Sequence, residues 1–61
     1  MASITSKELT AIEDQLKSEE LEVKKYKHYA SSTADPQIKN KCEQIAAKHQ
    51  EHITRLMSHL G

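Results

Sequence analysis

Ser31-Ser32-Thr33-Ala34-Asp35-Pro36 decides the fold, because it is the one break between two long stretches free of glycine and proline. The chain's single proline stands at 36 and its single glycine at 61. Both flanking stretches are rich in Glu, Lys, Gln, Leu and Ala, the residues that lose least on entering a helix. The pattern predicts an all-α protein, an antiparallel helical hairpin forming a single domain over 1–61. A helix over about 6–32 and a second over about 36–60 are joined by a loop at about 33–35.

The helix starts have local chemistry behind them. Thr5-x-x-Glu8 is a capping box, with Ile4 and Leu9 at the two positions of a hydrophobic staple. Asp35 can cap free N–H groups while Pro36 fills a first helical position that has no N–H partner to lose. Gly61 fits a C-terminal stop. Glu13/Lys17, Glu20/Lys24 and Glu51/Arg55 stand four apart with the acid first and mark a solvated face, each pair adding a few tenths of a kcal/mol.

Sixty-one residues with 36% hydrophobic content, two tyrosines and no Trp or Phe give little material for a closed core. Chains this small lean on disulfides, metal or oligomerisation, and a single cysteine excludes an internal disulfide framework. Nine basic side chains balance nine acidic ones, which argues against a nucleic-acid partner held by phosphate contacts. Lys24, Lys25, Lys27 and His28 form the one dense basic patch, and Glu19, Glu20 and Glu22 beside it cancel its field. Apolar runs of two or three residues exclude a membrane span, and Met1-Ala2-Ser3-Ile4 lacks a signal-peptide layout, so an intracellular location is expected. The unpaired Cys42 fits a reducing compartment.

Read at spacings of three and four, the first helix presents Leu9, Ile12, Leu16, Glu19, Val23, Tyr26 and Ala30. The second presents Ile38, Cys42, Ile45, His49, His52 and Leu56, widened by Ala46, Ile53 and Leu60. In an antiparallel hairpin centred on this loop, residues at one height have numbers summing to about 68. Ala30 then meets Ile38, Tyr26 meets Cys42, Val23 meets Ile45, Ile12 meets Leu56 and Leu9 lies close to Leu60. Glu19 faces His49, with His52 one turn along. Burying these polar groups unpaired would cost several kcal/mol, so they should pair with each other or with a metal.

Imidazole and carboxylate suit Zn, Fe or Mn, and two histidines three apart project from adjacent turns of one helix face. Glu19, His49 and His52 are therefore the candidate metal ligands, with an ion-free Glu–His layer as the alternative. Glu20 is either an outer partner of that layer or simply paired to Lys24. Cys42 and Tyr26 read as core packing, Tyr29 as half exposed, and His28 and His59 as surface residues. No residue reads as catalytic. An apolar face too wide for one hairpin predicts a homodimer, built as a four-helix bundle that brings two copies of the layer together.

The segment Glu19-Glu20-Leu21-Glu22-Val23-Lys24-Lys25-Tyr26-Lys27-His28-Tyr29-Ala30 resembles the first helix of the ferritin-like superfamily, with Glu19 at the position of a ligand glutamate. The second helix departs from that family's Glu-x-x-His pattern: His49 stands where the glutamate would, three before His52, which removes a bridging carboxylate. More narrowly, Lys24–Lys27, Asp35-Pro36 and Lys41–His49 are similar to small coat-protein-F-like spore coat proteins. The resemblance implies a structural spore-coat role, with other coat proteins as further partners. The alternative it implies is a ferritin-like redox protein or oxidase acting on iron or peroxide.

Overall fold

The computed structural model describes residues 4–60, all in or beside two helices: α1, Ser6–Ser32, and α2, Pro36–Ser58. They pack against each other as an antiparallel hairpin, and no strand occurs among the described residues. The α1 boundaries match the sequence reading. Glu8 N–H donates to Thr5 Oγ1 at 3.1 Å and Thr5 N–H donates to Glu8 Oε1 at 3.3 Å, so two otherwise orphaned groups at the helix start are satisfied reciprocally. The staple is weaker than expected, since Ile4 and Leu9 remain 39% and 37% exposed. Thr5→Ala is expected to destabilise the fold by about 1 kcal/mol, read as a lower denaturation midpoint with unchanged helical content in the native baseline.

Hydrogen bonds fix the connection as well. The hydroxyls of Ser31 and Ser32 donate to the carbonyl of His28, and Thr33 N–H donates to that of Tyr29, one of the carbonyls that the end of α1 leaves without an intrahelical partner. Asp35 N–H donates to Thr33 Oγ1, and Asp35 Oδ1 accepts from the N–H groups of Gln37 and Ile38 at 2.8 and 3.4 Å. Pro36 follows in the first helical position, as its missing N–H permits.

Helix α2 ends at Ser58, two residues earlier than the periodicity predicts. The Ser58 hydroxyl donates to the carbonyl of Arg55, the group that an uninterrupted helix would offer to the N–H of His59. That N–H turns to Leu56 instead, and Leu60 N–H to Met57, tightening the chain into a closing turn. Gly61, the expected stop, lies outside the described residues.

The surface pairs differ from expectation. Among the described residues the one lysine–carboxylate ion pair is Lys25–Glu22 at 3.1 Å, and the three expected four-residue pairs are not in contact. A few tenths of a kcal/mol does not hold two long exposed side chains in one geometry against their rotamer entropy. No described helix is long and apolar enough to cross a membrane.

The hairpin's own core is thin. Val23, Ala30, Cys42 and Ala46 are its buried apolar residues, all small, while Leu21, Tyr29, Ile38 and Met57 are each roughly half exposed or more. The molecule measures 47 × 17 × 10 Å and exposes 4989 Å². A compact monomer of 6.9 kDa would expose about 4,000 Å². Two helices side by side have only one line of mutual contact, and this line leaves apolar side chains such as Leu21, Ile38 and Met57 uncovered.

Candidate metal centre

Glu19 is the buried charged residue in this seam, 7% exposed. Side chains lean toward the N-terminus of their own helix. Glu19 on α1 therefore leans toward the level of His52, and His52 on the antiparallel α2 leans back toward Glu19, while His49 starts from the height of Glu19 itself. The three meet as the height argument predicts. His49 Nδ1–H donates to Glu19 Oε1 at 2.5 Å, and His52 Nδ1–H donates to Oε2 at 3.1 Å. The two contacts use different oxygens, so the carboxylate is clamped between two imidazoles from successive turns of α2.

Gln15, which the sequence reading did not single out, completes the set. Its Nε2–H donates to Glu19 Oε2 at 3.1 Å from one turn earlier on α1. The available signal was its position four residues before a seam glutamate, where amide and carboxylate side chains meet on a helix surface. The hydrogen bond from His49 holds the Glu19 carboxyl below its usual value of 4.5. Burial opposes this, while Gln15 and His52 act in the same direction as His49. The carboxylate is thus an acceptor, which places the ring protons of both histidines on Nδ1.

Aromatic packing orients the imidazoles. Tyr26, expected at the height of Cys42, stacks on His49, with ring centroids 6.1 Å apart and planes 14° from parallel. The same N-terminal lean explains it, carrying the ring from its own height toward that of His49. Tyr29 meets the edge of Tyr26 at 5.7 Å, and His52 stands edge-on to His49 at 5.8 Å. Cys42 is buried, as expected of core packing. Glu20, His28 and His59 are exposed and outside the cluster. Cys42→Ala is expected to lower stability by about 1 kcal/mol, the loss of one small buried group, and to leave metal uptake measured by elemental analysis unchanged.

The donor set fits a metal ion. Glu19, His49 and His52 each offer one ligand atom, and these lie within 4.8 Å of one another. Tetrahedral ligation with bonds near 2.0–2.1 Å places ligand atoms about 3.3 Å apart, which small rotamer adjustments reach. Two imidazole nitrogens and a carboxylate oxygen suit Zn, Fe or Mn, and each ring must give up its Nδ1 proton for that atom to coordinate. The side chain of His52 is 44% exposed against 9% for Glu19, so the cluster opens to solvent on the His52 side.

Fold and site together define an all-helical hairpin with a carboxylate–diimidazole cluster at mid-height. No protein-family model matches this chain, and no curated protein or solved structure shows significant similarity to it.

Proposed function

We propose that the chain is a small self-associating structural protein of spore-coat type. Two copies pair as a ferritin-like four-helix homodimer and hold Zn, Fe or Mn at Glu19, His49 and His52. The observation that carries this reading is Glu19: a carboxylate buried in an apolar seam with two imidazoles on its two oxygens. Self-association is supported by the area, because the excess of roughly 1,000 Å² is what one partner of a standard interface covers. The spore-coat role, a location within the spore-forming cell or its coat, and other coat proteins as partners rest on the sequence resemblance.

Light scattering after size exclusion tests the assembly, with a dimer or higher even oligomer expected at micromolar concentration and a folded 6.9 kDa monomer overturning it. Elemental analysis of protein purified without chelator or affinity metal tests the site. One observation favours a second reading, a metal-free polar layer that sets the register of the helices. The Glu19 carboxylate already accepts three hydrogen bonds, and no buried side-chain nitrogen or oxygen among the described residues lacks a partner. A chelator that leaves the melting temperature of freshly purified protein unchanged, together with no response to added metal, selects that layer.

A further inference from the structure

On its open side the cluster borders a groove of about 310 Å³ lined by Gln15, Glu19, His52, Arg55, Leu56 and His59. We propose that this groove binds a small carboxylate anion, with Arg55 as its counter-cation and the ion at Glu19, His49 and His52 as its second anchor. The inference rests on the metal reading above.

Three features of the groove lead to it. Each hairpin supplies three donors, whereas a tetrahedral ion takes four ligands, and an ion held by the three donors of one copy keeps one position for water or an added ligand. Glu19 and His52 both reach the groove wall, so this is the side from which a fourth ligand enters. The charge balance selects an anion. A divalent ion against the one Glu19 carboxylate leaves a positive charge, Arg55 adds another, and no other acidic side chain lines the groove.

The chemistry of Arg55 narrows the class. Its guanidinium presents paired N–H donors that match the two oxygens of a carboxylate, and among the described residues it forms no ion pair, its expected partner Glu51 included. Leu56 supplies an apolar wall for a short hydrocarbon body. A volume near the lower end of the usual ligand range, about 300–1,000 Å³, restricts the occupant to a small molecule.

Protein loaded with Co²⁺, titrated with acetate and followed by the visible absorption of the ion, tests the proposal without reference to any activity. Acetate is expected to change the Co²⁺ spectrum saturably. Arg55→Gln is expected to weaken that binding at least roughly tenfold, the loss of one charge-assisted pair, while leaving the Co²⁺ spectrum before acetate unchanged. A Co²⁺ spectrum that forms but ignores acetate, or an acetate affinity unaltered by Arg55→Gln, overturns the anion site and leaves the metal reading standing. Protein that takes up no Co²⁺ overturns both. Should Arg55→Gln change the oligomeric mass and not the acetate affinity, the groove is a contact between copies and the anion proposal falls.

Discussion

His49→Ala is expected to abolish a metal-dependent rise in melting temperature that the unaltered protein shows. An ion that binds only the folded state stabilises it by about 2.7 kcal/mol at a hundredfold excess over its dissociation constant. In a domain this small each kcal/mol moves the midpoint by about 4–8 °C, so the shift is on the order of 10–20 °C. Removing His49 takes away the imidazole on Glu19 Oε1 and leaves two donors, too few to hold the ion. Melts of both proteins, with chelator and with Zn, Fe or Mn, provide the comparison. A His49→Ala protein that keeps the full metal-dependent rise would show that the ion binds elsewhere, and a wild-type melt indifferent to all three ions would remove the metal site.

Why this site was readable in advance, while its surroundings were not, follows from how local each determinant is. Thr5-x-x-Glu8 and Asp35-Pro36 carry their helix starts within four residues, so no tertiary information is needed. Once the loop centre is known, an antiparallel hairpin leaves almost no freedom in height, and Glu19 opposite His49 follows from counting. Height alone misplaces long side chains. Tyr26, level with Cys42 by counting, stacks its ring on His49, a placement set by the direction of Cα–Cβ bonds rather than by position along the axis alone.

Other features depend on competition between groups that a pattern of apolar residues does not register. The Ser58 hydroxyl bonds the Arg55 carbonyl where α2 gives way to a closing turn, although Leu60 continues the hydrophobic period. Gln15 reads as an ordinary polar residue until Glu19 is seen to need a third hydrogen bond. The apolar stripe itself is ambiguous in kind. Leu9 and Ile38 have the spacing of core residues, yet within one hairpin they are 37% and 51% exposed, because the stripe looks the same whether a helix's partner is its own neighbour or a second copy.

Acid is expected to weaken the metal-free fold through Glu19 in particular. Hydrogen bonding by His49 lowers the Glu19 pKa from 4.5, so the folded state favours the ionised carboxylate more than the unfolded chain does. The stability that this preference contributes is fully present above pH 4.5 and is lost as pH falls through the lower, folded value. Other carboxyl groups titrate nearby, so the comparison that isolates Glu19 is with Glu19→Gln, which keeps the shape but has no proton to gain. With chelator present, the two proteins should differ most in melting temperature above pH 4.5 and converge below it. Parallel profiles would show that the carboxylate is not held ionised by its neighbours. Replacing Glu19 alone by Leu leaves both imidazoles without their acceptor and should destabilise the fold. Replacing Glu19 and His49 together removes the donor along with the acceptor, and should restore much of the loss. The non-additivity of that double-mutant cycle measures the clamp directly. Additive effects would mean that the contact between Glu19 and His49 contributes nothing to holding the two helices in register.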